Sequence, residues 1–177
     1  MKPPLTQSGF EIRPARPDDV EAIVAMIHAL AEFEKLGHLC VAAEADLERA
    51  LFGAHPAAEV VLACKEGTPA AFALFFHNFS TFLGRPGLWL EDLFVLPEYR
   101  RQGCAQALLR TLATLAVERG CGRFEWAVLD WNAPAIEFYR TLGATVLPEW
   151  RIVRVVGRSL EALAGQAGHE SNDDALR

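Results

Sequence analysis

Leu88-Trp89-Leu90-Glu91-Asp92-Leu93-Phe94-Val95-Leu96-Pro97-Glu98-Tyr99-Arg100-Arg101-Gln102-Gly103-Cys104-Ala105 is the stretch on which the fold turns. Leu88 to Val95 has strand character, and Leu96-Pro97 breaks it. A helix is predicted over Arg101 to Arg119, with Ala105, Leu108, Leu109, Leu112, Leu115 and Ala116 on one face and Gly120 as the stop. Strand, tight loop and helix N-terminus together form an anion site. Several backbone N–H groups lack a helical acceptor there, the helix dipole adds positive potential, and Gly103 admits a phosphate with no Cβ in the way. Arg100 and Arg101 can add charge-assisted contacts. A single glycine at a helix start more often serves packing or capping, so the surrounding chain has to decide.

Upstream, Glu11 to Arg13 reads as a short extended start. Pro17 at a first helical position, with Asp18 and Asp19 in the first turn, then opens a helix to about Lys35. Val20, Ile23, Val24, Ile27, Leu30 and Ala31 give that helix one apolar face. A second helix is predicted over about Ala43 to Leu51, ended by Gly53 and Pro56. Glu59 to Cys64 and Pro69 to about Phe79 read as antiparallel strands, and with Leu88 to Val95 they make a meander. Downstream, Phe124 to Leu129 reads as a buried strand, Ala133 to Leu142 as a short helix closed by Gly143, and Trp150 to Val156 as a last strand. This order predicts a mixed α/β layer fold in a single domain, residues 1–164. Residues 165–177 are small, polar and acidic and are expected to form a frayed tail.

Composition narrows the function. Seventeen Lys and Arg against 23 Asp and Glu leave a net charge of −6, the wrong sign for counterion-driven nucleic-acid binding and the right one for a cationic partner. Cys40, Cys64, Cys104 and Cys121 are widely spaced, with no C-x-x-C pair and no histidine at metal-ligand spacing, which favours free thiols in a reducing compartment and no metal. Met1 to Phe10 has no apolar stretch of the kind a secretion signal needs, and no segment approaches the ~18 to 20 apolar residues of a membrane span. A cytoplasmic protein is expected. His28, His38, His55, His77 and His169 show no pairing pattern and read as packing or surface residues.

Arg100-Arg101-Gln102-Gly103-Cys104-Ala105 matches the [Q/R]-x-x-G-x-[G/A] loop of the GNAT acetyltransferase superfamily. Leu90 to Val95 with Pro97, Tyr99 and Arg100, then Trp131-Asn132-Ala133-Pro134-Ala135-Ile136-Glu137-Phe138-Tyr139 and Leu142-Gly143-Ala144, resemble the spermidine/spermine and thialysine N-acetyltransferase branch. The likeness covers Ile12 to Ala164 and implies a twisted, largely antiparallel mixed sheet, splayed between its fourth and fifth strands, with helices on both faces. It implies acetyl-CoA as cofactor. By the same resemblance the pantetheine arm pairs with Leu93, Phe94 and Val95, and the pyrophosphate sits on Arg101, Gln102, Gly103, Cys104, Ala105 and Gln106. Asn132 contacts the cofactor arm with Pro134 and Ala135 nearby, and Tyr139 is the general acid. Ala105 stands where many members carry a second glycine, which the motif permits. A homodimer is implied by resemblance only.

The chemistry can also be argued from the residues. A primary amine of pKa near 10.4 is free base in only about one molecule in a thousand at pH ~7.4, so something must accept its proton. Glu91 or Asp92 can do so directly or through water; being adjacent on a strand they point to opposite faces, and the resemblance favours Glu91. A backbone N–H near Phe94 would hold the oxyanion, and Tyr139 would protonate the departing thiolate. Cys104 is expected to be a packed side chain, since direct attack in a ternary complex needs no acetyl-enzyme. Tyr139 also fits an apolar helical stripe with Ile136, Phe138 and Leu142, so a core role stands beside the catalytic one. Phe33 and Glu34 match a substrate-contacting pair of the polyamine enzymes, with Phe33 replacing a hydroxylated aromatic. Glu125, Trp126, Ala127 and Asp130 flank the same cleft by that match. A small cationic amine is the expected substrate. Another amine or protein acetyltransferase, and a non-catalytic acyl-CoA sensor, are the alternatives.

Overall fold

Register along the fifth strand decides how the sheet is built. In the computed structural model, which describes Leu5–Gln7 and residues 9–166, the strands are β1 (Leu5–Gln7), β2 (Phe10–Pro14), β3 (Glu59–Lys65), β4 (Thr68–Ser80), β5 (Arg85–Val95) and β6 (Phe124–Trp126). They form one sheet in the order β1-β2-β3-β4-β5-β6. Every neighbouring pair is antiparallel except β5 and β6, which run parallel. The helices are α1 (Val20–Phe33), preceded by a 3-10 turn at Pro17–Asp19, α2 (Glu44–Phe52), α3 (Cys104–Glu118), α4 (Ala133–Thr141) and α5 (Gly157–Leu163). The chain divides into two compact units, Met1–Ala127 with the whole sheet and Val128–Arg177 with α4 and α5.

Two layers of side chains fix the helices of the first unit on opposite faces. Val60, Leu62, Cys64, Phe72 and Phe94 pack with Ile23 and Met26 of α1 and Leu51 of α2. The alternate positions Val61, Ala63, Ala71, Ala73 and Phe75 are also buried and face the other way. That face belongs to α3, whose Cys104, Ala107, Leu108, Leu109, Leu112 and Ala116 are buried. At its C-terminal end Arg119 lies over the Phe75 ring at 5.8 Å and grips Glu59 through two bonds of 2.5 and 2.8 Å. The mixed sheet with helices on both faces is thus the expected fold. A partly buried pair holds the entry to α1: Arg13 donates through both terminal nitrogens to Asp19 at 2.7 and 2.8 Å, and Asp19 also accepts from the Arg16 amide.

Several boundaries differ from the sequence reading. The third helix begins at Cys104 and not at Arg101, because Arg101 and Gly103 hold left-handed φ values of 60° and 82° that no α-helix admits. The strand expected over Phe124 to Leu129 stops at Trp126. No strand forms over Trp150 to Val156: the segment has no ladder partner among the described residues, and Trp150, Ile152 and Val153 stay 73%, 71% and 87% exposed. A β-favouring run becomes a strand only when another supplies its hydrogen bonds. The hairpin strand β1 and helix α5 were not anticipated. The tail expected over residues 165–177 lies almost wholly outside the described residues.

Candidate active site

Pairing of β5 with β6 ends at Leu90 opposite Trp126. From Glu91 to Val95 that edge of β5 has no strand beside it among the described residues, while its other edge stays in register with β4 as far as Ala71 opposite Val95. This is the expected splay, an open row of backbone donors and acceptors of the kind an extended ligand can join. Directly beyond it, Gly103 caps α3 in the left-handed region and no side chain caps the helix, so its first amides point free toward the loop of Arg101 to Gln106. Within that loop the Gln102 amide turns back to donate to Glu98 O at 2.9 Å. Cys104 is 2% exposed, and burial pushes its thiol up to about 11, which suits a packing residue and not a nucleophile.

An extra residue in β5 sets the carboxylates. Leu74 stands opposite Asp92 and Phe75 opposite Leu90, so Glu91 is a bulge with no partner of its own. The bulge resets the alternation: Trp89, Asp92 and Phe94 share the face of Phe76, Leu74 and Phe72, which is the α1 side. Asp92 is therefore drawn beneath α1. Burial, then the neighbouring charges of Glu91 and Glu34, pushes its carboxyl up to about 6. Glu34, the residue capping the C-terminus of α1, is also raised by burial. Glu91 is exposed and accepts from Trp89 Nε1 at 2.8 Å. Glu91 and Glu34 thus both act on Asp92, the most strongly perturbed carboxyl of the site, which the sequence reading had set behind Glu91. The bulge, the only signal that could have reversed that order, has no sequence signature here.

Arg100 also departs from expectation. Its guanidinium lies 5.0 Å from the Phe33 ring and 5.5 Å from the Phe94 ring, and its Nε donates to Val95 O at 3.1 Å. Of the residues assigned to the amine, Phe33 and Glu34 therefore stand beside the open edge of β5. Glu125 is already engaged, with Arg123 at 2.7 Å and Asn78 at 3.2 Å, and Trp126 packs on Phe124 with ring centroids 4.9 Å apart. Ala127 and Asp130 are exposed beyond β6. Among the described residues no group of three His, Cys, Asp or Glu side chains is disposed to hold a metal, and no helix is long and apolar enough to cross a membrane.

In the second unit Asn132 caps α4, its side chain accepting from the Ala135 amide at 3.3 Å, with Pro134 in the first turn. Tyr139 follows on the same helix, its ring 5.6 Å from that of Phe138. Burial raises its phenol above the ordinary tyrosine value, which keeps it a proton donor at neutral pH.

Comparison with known proteins agrees with this geometry. The chain is 38% identical to thialysine N-epsilon-acetyltransferase of Mus musculus over 166 residues, covering 88% of this chain and 97% of the relative. It is 35% identical to L-ornithine N5-acetyltransferase NATA1 of Arabidopsis thaliana, covering 86% of each. Among solved structures, an integron cassette protein from the mobile metagenome of V. cholerae superposes with a TM-score of 0.74 at 27% identity, covering 88% of this chain and 98% of that one. Ribosomal-protein-alanine N-acetyltransferase of Brucella melitensis shares the fold, with a TM-score of 0.68 at 19% identity over 83% of this chain and 99% of its own. The acetyltransferase (GNAT) family model matches residues 23–144, and with these relatives it shows that the chain belongs to the GNAT acetyltransferases, which take their acetyl group from acetyl-CoA.

Proposed function

We propose that this acetyltransferase modifies a primary amine of a small cationic substrate of the polyamine, diamine, ornithine or thialysine kind, by direct attack in a ternary complex. The observation that carries the reading is the set of interacting carboxylates, Glu34, Glu91 and Asp92, at the start of the open edge of β5. A carboxyl that burial, and then the charges of its neighbours, already keeps from ionising is one that a cation relieves. Relatives that act on ornithine and thialysine point to the same substrate chemistry.

The residues present fit the cofactor. An unpaired strand edge at Leu93, Phe94 and Val95 suits an amide-bearing arm, and the uncapped amides from Gly103 to Gln106, with Arg101 beside them, suit a pyrophosphate. Asn132, with Pro134 and Ala135 beside it on α4, is the residue that the family resemblance assigns to the arm, and its cap engages only Oδ1. Bound there, acetyl-CoA supplies an activated acyl thioester.

The chain's own groups then manage the proton. Asp92 and Glu34 hold the ammonium, which also strengthens its grip on its proton, so an acceptor is needed. Glu91, exposed at the bulge, passes that proton to solvent, and Tyr139, kept protonated by burial, donates one on the leaving side. We further read the protein as one catalytic domain over residues 1–164, a homodimer, and cytoplasmic, in keeping with its free thiols.

Thiol release from acetyl-CoA across spermidine, spermine, putrescine, thialysine, ornithine and lysine tests the substrate class. Reaction of a basic peptide with none of these amines overturns it, and ping-pong kinetics would overturn direct attack.

A further inference from the structure

Phe33 ends α1 yet remains 42% exposed, an unusual place for a large apolar ring at the mouth of a site. The backbone after it is fixed. Glu34 N donates to Leu30 O at 2.9 Å and Leu36 N to Ala31 O at 2.8 Å, with Lys35 left-handed at φ 63°. This is a Schellman-type close, and it holds Glu34 rigidly to Phe33. Arg100 links the turn to the sheet: it contacts Phe33 on one side and Phe94 on the other while Nε bonds Val95 O. Phe94 is 5% exposed and sits in the core under α1, and Val95 is the last residue of the open edge. The next residue, Arg101, already belongs to the anion loop.

We propose that Arg100 is a positioning residue that clasps the amine-side turn of α1 to the cofactor edge of β5, so that filling the edge and binding the amine reinforce one another. The inference rests on the functional reading above and deepens it. A phosphate ligand would need only the positive charge, which lysine keeps. A clasp needs a flat guanidinium that meets two rings while its Nε–H reaches a carbonyl, and the single ammonium of lysine cannot make all three contacts at once. If cofactor occupancy stiffens Val95 and its neighbours, the clasp carries that order to Glu34, and by reciprocity a bound amine tightens the cofactor.

The test uses the full chain with Arg100→Lys, Phe33→Leu and the double variant. Amine KM at saturating acetyl-CoA is expected to rise on the order of tenfold in each single variant, with a smaller change in kcat and no further rise in the double. CoA affinity without amine is expected to stay near wild type. A lysine variant that loses CoA affinity while its amine KM is unchanged overturns the clasp, as do additive effects in the double. Should Arg100→Lys fail to fold, Phe33→Leu at its exposed position still carries the measurement. Amide exchange at Glu34 to Leu36 separates this idea from the substrate reading: CoA is expected to slow it in the wild type and not in Arg100→Lys, whichever amine is acetylated. No slowing by CoA in the wild type also overturns the proposal.

Discussion

Asp92→Asn should stabilise the protein and cripple its use of the amine. Burial, with the charges of Glu91 and Glu34, pushes the Asp92 carboxyl up to about 6 from 3.8, which corresponds to about 3 kcal/mol spent holding the ionised form in the fold at neutral pH. The sign follows from linkage. A folded value above the unfolded one means that the protonated group's stability is fully present below about 3.8 and is lost as pH rises through about 6. Asparagine removes that loss, so the variant should exceed wild type by up to about 3 kcal/mol near pH 7.5, or roughly 6 to 12 °C in melting temperature, and match it near pH 4. Paired thermal melts of the two proteins from pH 4 to 7.5 make the measurement. Amine KM should rise by roughly thirtyfold, the factor that about 2 kcal/mol of lost charge pairing gives. A variant that melts no higher than wild type at pH 7.5, or differs from it by the same amount at every pH, refutes the argument.

Other outcomes follow from single contacts. Tyr139→Phe is expected to lower kcat by about a hundredfold or more while CoA still binds by calorimetry; an unchanged kcat removes the acid role. Gly103→Ala forces a side chain into φ 82°, at a cost of about 1 to 2 kcal/mol, and should raise the acetyl-CoA KM more than the amine KM. Asp19→Ala strands Arg13 in a partly buried site and should cost about 3 kcal/mol in urea unfolding near neutral pH. Arg13 holds Asp19 below the ordinary carboxylate range, so that loss should shrink as pH falls through its folded value.

Much of the fold could be read from local signals because local rules made it. α1 follows Pro17, Asp18 and Asp19, α4 follows Asn132 and Pro134, and the four-residue spacing of Leu108, Leu112 and Ala116 needs no partner to be seen. What escaped depends on distant chain. Trp150 to Val156 has strand composition but no neighbour to pair with, and the bulge at Glu91 arises from a mismatch with Leu74 and Phe75 on another strand. The site divides the same way. The left-handed turn and uncapped helix start around Gly103 were legible, since glycine and helix start are adjacent in sequence. The burial of Asp92, the inward turn of Arg100 and the pairing of Glu125 with Arg123 and Asn78 are products of tertiary packing.

The open row of backbone on β5 from Glu91 to Val95 has a second side. An unpaired strand is a template that any extended polypeptide can extend, and proteins that keep one exposed risk stacking on their own copies. Here the row is short and kinked at its entrance by the bulge, carries adjacent acids there, and is closed by Pro97, which has no amide hydrogen to continue a ladder. The features that keep the row short and bent also make it a poor seed for aggregation, and variants that iron out the bulge or neutralise its acids should be screened for loss of solubility before any change in their kinetics is interpreted.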